Sequence, residues 1–233
     1  MKRPIGLILA RGGSKGIPGK NLEKILGESL IYRSSRTAVC SQLDGVYVYS
    51  DNDEILFEAE RADARPVKRP ADVSGDEITS EETLNAFLDQ VSDVSDRDVC
   101  LIQCTTPFLR TDHINEAIRK LTKIKYQVNS VISVCECPRY LGYQKIADAR
   151  KRQLWTPVYP YRWLRQEGSS LYFMENGGLY LARNSVWRKG RRIALRCGMV
   201  VMTQWESIEI DEPEDLEAAR RLASMFLKEK TVA

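Results

Sequence analysis

The chain has 233 residues, of which 43% are hydrophobic and 29% charged, and no stretch of it is compositionally biased. These values exclude a disordered chain and favour one large α/β domain with a real hydrophobic core over two independent domains. The net charge of +3 is too small to indicate a nucleic-acid partner by itself.

The first half of the chain alternates short apolar runs with amphipathic segments. This alternation is typical of βαβ units and predicts a mainly parallel sheet with helices on both faces. Thr79 and Glu82 have the spacing of a capping box before one helix, and Thr111 is placed to cap another. The predicted elements are strands at 5–9, 46–49, 99–103 and 129–134, and helices at 29–39, 80–91 and 111–123.

The regular alternation fails between residues 136 and 175. Pro138, Pro157 and Pro160 interrupt this stretch, and aromatic and basic residues crowd within it. We expect a protruding insertion that covers a site or contacts a partner subunit. Strands are then predicted at 178–182 and 199–202. Pro213 is suited to the first position of a final helix, which has an apolar face. That face comprises Leu216, Ala219, Ala223, Phe226 and Leu227.

Charge is unevenly distributed over the second half of the chain. Residues 150–196 hold 11 basic residues and only two acids, whereas residues 206–217 hold seven acids and no base. The first stretch is suited to an anion and the second to a metal or a helix N-terminus.

Membrane and zinc-binding classes are not indicated. No apolar run approaches the roughly 20 residues needed to cross a bilayer, and the stretch at 4–10 is too short for a signal peptide. We therefore expect a cytoplasmic protein with no membrane partner. The six cysteines lack paired CxxC spacing and the only histidine is His113, so a zinc site is not expected.

The strongest chemical signal follows the first predicted strand, in the sequence LILARGGSKGIPGKN at residues 7–21. Glycines let backbone N–H groups approach phosphate oxygens, and three bases add positive charge to the same loop. The pattern is neither a Walker A loop nor GxGxxG, and it suits a triphosphate at the carboxyl end of a buried strand. The glycines are Gly12, Gly13, Gly16 and Gly19, and the bases are Arg11, Lys15 and Lys20.

Residues 8–21 resemble the N-terminal signature of the acylneuraminate cytidylyltransferases, a strand followed by AR.GSKG...KN. Further matches follow in order over about residues 5–220: RPA at 69–71 with Ser80, LIQ.TTP at 101–107, RQ at 165–166, ENG at 175–177 with Tyr180, and IEIDEPEDL at 208–216. The resemblance implies a Rossmann-like nucleotidyltransferase fold in one domain. It also implies a homodimer formed with the help of the insertion at about 136–175.

The activity that the resemblance implies is transfer of CMP from CTP to the anomeric 2-hydroxyl of an acidic nine-carbon sugar, with release of pyrophosphate. Arg11, Lys15 and Lys20 would neutralise charge on the departing pyrophosphate. Arg69 and Ser80 would help to read the cytosine. The implied nucleotide-binding residues are Leu9, Ala10, Arg11, Gly12, Gly13, Ser14, Lys15, Lys20, Asn21, Arg69 and Ser80.

The implied sugar-binding residues are Gln103, Arg165, Gln166, Asn176 and Tyr180. A guanidinium such as that of Arg165 can hold a carboxylate through two parallel hydrogen bonds. The link at 167–174 departs from the family pattern, because it carries Gly168-Ser169-Ser170 in place of a proline-containing segment. The sugar therefore stays open among N-acetylneuraminate, KDN, legionaminate, pseudaminate and their relatives.

The family's metal motif usually reads DID, whereas this chain has Glu209-Ile210-Asp211. Both acids point to one side if the segment is extended. The resemblance implies Mg²⁺ at Asp211, which is the expected catalytic carboxylate. Glu209 would bind the metal directly, through water or not at all, and the general base is not identified.

Three alternatives remain at this stage. A cytidylyltransferase for the eight-carbon sugar Kdo shares the chemistry, but its loop resembles RYGSTRLPGK more than the RGGSKGIPGK found here. A glycosyltransferase would need a DxD metal motif, for which residues 50–53, SDND, are the only near match. A nucleotide-binding or nucleic-acid-binding module without catalysis would account for the basic stretch at 150–196, but we expect no nucleic-acid partner.

Overall fold

The computed structural model describes residues 2–13, 16–75, 77–123, 126–136 and 173–231, together with the backbone of 143–146 and 154–157. Beyond residue 225 only the backbone is described. None of the helices in these ranges is long and apolar enough to cross a membrane.

The described chain alternates strands and helices along most of its length. The strands are β1 (Ile5–Leu9), β2 (Lys24–Ile25), β3 (Glu28–Ser29), β4 (Val46–Ser50), β5 (Arg65–Lys68), β6 (Val99–Ile102), β7 (Ser130–Glu136), β8 (Tyr143–Ile146), β9 (Leu154–Pro157), β10 (Phe173–Ala182) and β11 (Cys197–Met202). The helices are α1 (Leu30–Val39), α2 (Asp53–Arg61), α3 (Ser80–Gln90), α4 (Thr111–Thr122), α5 (Asn184–Trp187) and α6 (Pro213–Thr231).

Seven strands form the main sheet, in the order β11-β7-β10-β6-β1-β4-β5. Every neighbouring pair is parallel except the two that involve β10, which runs antiparallel to both β6 and β7. The predicted mainly parallel sheet is confirmed. The one reversed strand, β10, is third in this order, and the register of its pairing with β7 shifts between Glu175 and Tyr180.

Each face of the sheet has its own apolar core, as the α/β prediction requires. On one face Ile8 and Ile102 pack with buried residues of α1, α4 and α6. On the other face Leu7 and Leu101 pack with α3 and with Trp187, which is fully buried. Helices therefore cover both faces, and the carboxyl ends of β1, β4 and β6 open toward a common edge.

Several predicted elements are confirmed with small shifts. β1 has the predicted bounds, and α3 begins at Ser80 behind the predicted capping box of Thr79 and Glu82. α6 begins at Pro213, with Leu216, Ala219 and Ala223 buried. Phe226 and Leu227 lie beyond the described side chains.

Other predictions of local structure are wrong. Thr111 does not cap α4: it is the first helical residue, and its hydroxyl donates to the carbonyl of Thr37 at 3.0 Å. Ser29 is the cap of α1 rather than its first residue, because its hydroxyl accepts from the N–H of Tyr32. The β2–β3 hairpin, α2 and β5 were not predicted, and β10 begins five residues before the predicted strand.

The predicted insertion at 136–175 is described only in part. Its first residue ends β7, its last three begin β10, and β8 and β9 between them form an antiparallel pair. The remaining residues of the insertion, with its predicted contact to a partner subunit, lie outside the described ranges.

Candidate active site

A cleft of about 530 Å³ opens beyond the carboxyl end of β1. This is the edge at which open α/β sheets bind ligands. Two loops far apart in sequence meet there, the loop after β1 and the segment before α6. The cleft is lined by Leu9, Arg11, Gly16, Lys20, Asn21, Thr105, Asp211 and Glu212.

The loop after β1 folds back onto the strand that it leaves. Gly19 adopts φ 66°, a left-handed conformation that favours glycine, just before a 3₁₀ turn at Lys20–Leu22. Asn21 is buried in this turn, and its side-chain amide donates to the carbonyl of Arg11 at 3.0 Å. The predicted nucleotide residues Leu9, Ala10, Arg11, Lys20 and Asn21 are thus brought together around one loop.

Lys20 joins this loop to the segment before α6, residues 208–212, which we call the acidic segment. Its Nζ donates to the carbonyl of Ile210 and to Oδ1 of Asp211, each at 2.9 Å, across a sequence separation of about 190 residues. The lysine side chain is 15% exposed, whereas that of Asp211 is 65% exposed. Lys20 is therefore a largely buried cation, held beside a carboxylate that still faces solvent.

Glu209 and Asp211 flank a buried anchor. Ile210 is fully buried and its N–H donates to the carbonyl of Thr105 at 2.8 Å, while both acids are exposed. Oε1 of Glu209 lies 3.5 Å from the hydroxyl of Thr105. Partial loss of solvent, and then the charge of Asp211, raise the pKa of the Glu209 carboxyl, against the opposing effect of Lys20.

These two carboxylates suit a metal that is completed by substrate. Mg²⁺ usually takes one or two protein carboxylates and fills its remaining positions with water and phosphate oxygens. The described residues hold no cluster of three or more side chains able to bind a metal by themselves. The donor chemistry of Glu209 and Asp211 therefore fits Mg²⁺ that arrives with a triphosphate.

Gln103 lies at the end of β6 beside this acidic segment. Its side-chain oxygen is buried and has no hydrogen-bond partner among the described residues. A Cβ atom at Gly177, where φ is 70°, would lie 2.7 Å from that oxygen and 2.9 Å from Oε1 of Glu209. Gln103, Gly177 and Glu209 therefore meet closely, and a buried amide oxygen without a partner is suited to a ligand donor.

Asn176 and Tyr180 are buried in β10 and bonded within the chain. The amide of Asn176 donates to the hydroxyl of Ser207 at 2.7 Å and accepts from the N–H of Gly178. The hydroxyl of Tyr180 donates to Glu175, and burial raises its pKa. Both side chains thus hold β10 in shape around the register shift.

Arg192 ties β10 to α3. Its guanidinium lies 4.8 Å from the ring centroid of Tyr180 and pairs with both oxygens of Glu81 at 2.6 and 3.0 Å. Sequence reasoning assigned no role to Arg192 or Glu81, because their contact spans 111 residues.

Arg69 and Ser80, the predicted readers of cytosine, lie on neighbouring elements. Arg69 is 6% exposed, and it donates to the carbonyl of Val73 and to the hydroxyl of Thr83 in the first turns of α3. Burial lowers the pKa of its guanidinium. Ser80 is half-buried at the start of α3, and its hydroxyl is not needed for capping because Thr79 does this.

Two residues that line the cleft had no predicted role, and four residues with a predicted role lie outside the described ranges. Thr105 and Glu212 line the cleft although no role was predicted for them. Thr105 lies in the LIQ.TTP motif at 101–107, and this motif is the sequence signal that could have identified it. Ser14, Lys15, Arg165 and Gln166 lie outside the described residues, and the structure therefore does not test their predicted roles.

Comparisons with known proteins agree on one family. A model of the cytidylyltransferase family matches residues 5–232. The chain is 34% identical to N-acylneuraminate cytidylyltransferase B of Danio rerio over 221 residues, covering 94% of this chain and 51% of that protein. The chain is 25% identical to the N-acylneuraminate cytidylyltransferase of Streptococcus agalactiae, over 91% of this chain and 51% of that protein. The chain thus spans about half the length of the curated relatives it matches.

Solved structures support the fold. CMP:2-keto-3-deoxy-manno-octonic acid synthetase complexed with CTP aligns with a TM-score of 0.70 and 17% identity, covering 97% of this chain and 99% of that one. The 4-diphosphocytidyl-2C-methyl-D-erythritol synthase of Anaerococcus prevotii aligns with a TM-score of 0.60 and 15% identity, covering 94% and 95%. At these identities the likeness establishes the nucleotidyltransferase-type α/β fold alone.

Proposed function

The chain belongs to the cytidylyltransferase family, and from this premise we propose that it transfers CMP from CTP to the anomeric 2-hydroxyl of a sialic acid-like 2-keto sugar acid. The products are the CMP-sugar and pyrophosphate. One observation carries the proposal: Lys20 lies in the loop after β1 (residues 10–21, the phosphate loop) and reaches Asp211 in the acidic segment across the cleft. A cation and a carboxylate side by side suit a triphosphate that brings a metal.

In the proposed reaction the oxygen of the sugar hydroxyl forms a bond to the α-phosphorus of CTP, and the hydroxyl proton passes to solvent. The bond from that phosphorus to the oxygen bridging the α- and β-phosphates breaks, and pyrophosphate leaves with the electron pair. Lys20 and Arg11 supply positive charge near the leaving group, where it stabilises the transition state more than the ground state. The loop backbone and Asn21 keep these cations in position, which is a further contribution to the rate.

Mg²⁺ is part of the proposal. When bound, a divalent cation would neutralise phosphate charge and orient the α-phosphate for attack. Asp211 is the carboxylate that would hold it, and Glu209 would act beside it. Gln103, whose buried amide oxygen lies next to Glu209, is proposed to hydrogen-bond the sugar, together with Arg165 and Gln166.

We further propose that residues 1–233 act as one cytidylyltransferase domain and that the protein is a cytoplasmic homodimer built with the insertion at 136–175. Sedimentation velocity of the full chain, and of a variant that lacks residues 137–172 and so keeps β7 and β10 intact, tests the dimer. A parent protein that sediments as a monomer at micromolar concentration would contradict it.

The described part of the basic stretch at 150–196 argues against a nucleic-acid partner. Arg183 pairs with Asp98 at 2.8 Å, and Arg188 pairs with Asp89 at 2.5 Å. With the Arg192–Glu81 pair, three cations of the stretch have acidic partners within the chain. Salt-dependent binding to duplex DNA would contradict this part of the proposal.

The deciding assay combines the protein with Mg²⁺, CTP and single sugars, with pyrophosphate release as the readout. The panel holds N-acetylneuraminate, KDN, legionaminate, pseudaminate and Kdo. Release with a nine-carbon acid, and isolation of the CMP-sugar, support the proposal. Release with Kdo alone would favour the Kdo alternative, and CTP binding without release for any sugar would favour the non-catalytic module.

A further inference from the structure

Residues 50–53, SDND, form the turn between β4 and α2, and most of this turn is explained by local structure. The hydroxyl of Ser50 accepts from the N–H of Asn52 at 3.1 Å. Asn52 caps α2 by accepting from Glu54 and Ile55. Asp53 pairs with Lys68 at 2.5 Å. None of these contacts requires the side chain of Asp51.

Asp51 instead reaches across to the phosphate loop. Its Oδ1 accepts a hydrogen bond from the N–H of Gly12 at 2.8 Å, over a sequence separation of 39 residues. The loop packs directly on the turn at this point, because a Cβ atom at Gly12 would lie 3.0 Å from the side chain of Asn52. A carboxylate bonded to a backbone N–H is among the stronger hydrogen bonds of a protein.

We propose that Asp51 is a positioning residue for the phosphate loop. By accepting from Gly12 it fixes the start of the loop so that Arg11 and Gly13 face the triphosphate. The inference rests on the proposed CTP-binding function.

The same carboxylate acts on the predicted base reader. Burial lowers the pKa of Arg69, and the charge of Asp51 is the largest effect that opposes this. Asp51 therefore has two separable effects, a hydrogen bond to Gly12 and a charge near Arg69. Asp51→Asn keeps an acceptor oxygen and removes the charge, whereas Asp51→Ala removes both.

The experiment measures binding by calorimetry with three probes: CTP, pyrophosphate for the phosphate side, and CMP for the base side. The matched control is Asp53→Ala, which removes a carboxylate from the same turn. Asp51→Ala removes a charge-assisted hydrogen bond. We therefore expect its affinity for CTP and for pyrophosphate to fall by about tenfold, and its affinity for CMP to fall by less than about twofold. Asp51→Asn should stay within about threefold of the parent, and Asp53→Ala should match the parent.

The outcomes separate this inference from the proposed function. If the parent binds no CTP, the proposed function fails and the inference fails with it. If the parent binds CTP and Asp51→Ala binds pyrophosphate equally well, only the positioning role is overturned. Equal losses for all three probes, or an Asp51→Asn as weak as Asp51→Ala, would also overturn it. Should Asp51→Ala not fold, Asp51→Ser, whose hydroxyl ends one bond short of the carboxylate oxygen, takes its place with the same expectations.

Discussion

Lys20 belongs to the phosphate loop and also binds the acidic segment. Its Nζ makes two hydrogen bonds at 2.9 Å, to Ile210 and Asp211. Asp211 is mostly exposed, so the ion pair contributes little to stability in water. The positive charge of Lys20 therefore has its main effect when a triphosphate enters the cleft.

Lys20→Ala should therefore reduce turnover much more than stability. We expect a loss of about 100-fold in kcat, as for removal of one transition-state donor, and a cost in unfolding free energy of about 1 kcal/mol. Steady-state kinetics and urea unfolding measure the two quantities. Lys24→Ala, at an exposed lysine of the same region, is the control. Normal turnover with a large loss of stability would show that Lys20 is structural.

The two acids around Ile210 should differ in their response to Mg²⁺. Asp211→Asn should abolish most activity, and Glu209→Gln should mainly raise the Mg²⁺ requirement, by about 10- to 100-fold if its role is indirect. Glu209→Asp should be tolerated, since it restores the commoner family sequence. Turnover is measured as a function of Mg²⁺ for each variant. An active Asp211→Asn would overturn the proposed metal site, and an inactive Glu209→Asp would show that the pocket requires the longer side chain.

At the scale of elements, the site depends on the close approach of two backbone segments. A Cβ atom at Gly16 would lie closer to the carbonyl oxygen of Asp211 than real Cβ atoms come to any atom outside their own chain neighbours. The loop after β1 and the segment before α6 can therefore meet only if residue 16 is glycine. The contact between Lys20 and Ile210 depends on the same approach.

Gly16→Ala should push these segments apart and lower both stability and activity. Overpacking of this kind typically costs about 1–3 kcal/mol, and the displaced Asp211 should add a loss of turnover. The control for stability is Gly13→Ala, because a Cβ there meets no described atom within 4 Å. Thermal unfolding and turnover are measured for both variants. Equal melting temperatures for the two would contradict the close approach.

For the molecule as a whole, the buried His113 makes the free energy of unfolding depend on pH. His113 is 5% exposed in α4, and its Nδ1 accepts from the N–H of Arg110. Burial, and then the charge of Arg110, lower its pKa from 6.5 to about 4. Glu206, whose Oε2 lies 3.8 Å from Nε2, already pairs with Arg110. The folded chain thus holds His113 neutral where the unfolded chain protonates it.

Stability should therefore fall as the pH is lowered from about 6.5 to about 4, because the unfolded state binds the extra proton in this window. The loss due to His113 is at most about 3 kcal/mol. Urea unfolding at pH 7.5 and pH 5 measures the part of this loss that falls above pH 5, about 2 kcal/mol, and His113→Asn should reduce the difference. Since the chain has one histidine, its imidazole NMR signals report the folded pKa directly. A folded pKa near 6.5 would refute the prediction.

Local pattern was sufficient for much of the fold and for part of the site. The capping box before α3, the bounds of β1 and the start of α6 were predictable because the residues that specify them are neighbours in the chain. α2 and β5 were missed because their signals are weak. β5 is an edge strand, RPVK, that needs no continuous apolar run, and Asn52, the cap of α2, was considered only as part of a metal motif.

The class of this protein is evident from its residue order. Alternating strands and helices, a phosphate loop after the first strand and an acidic segment near the final helix follow one another as in a known family. Four features are visible only in the folded chain: β10 runs antiparallel to its neighbours, Lys20 reaches Asp211, Arg192 joins α3 to β10, and Asp51 accepts a hydrogen bond from Gly12. The physical reason is sequence separation. Hydrogen bonds and ion pairs between distant residues depend on how the strands are ordered in the sheet, and no local period or cap specifies that order.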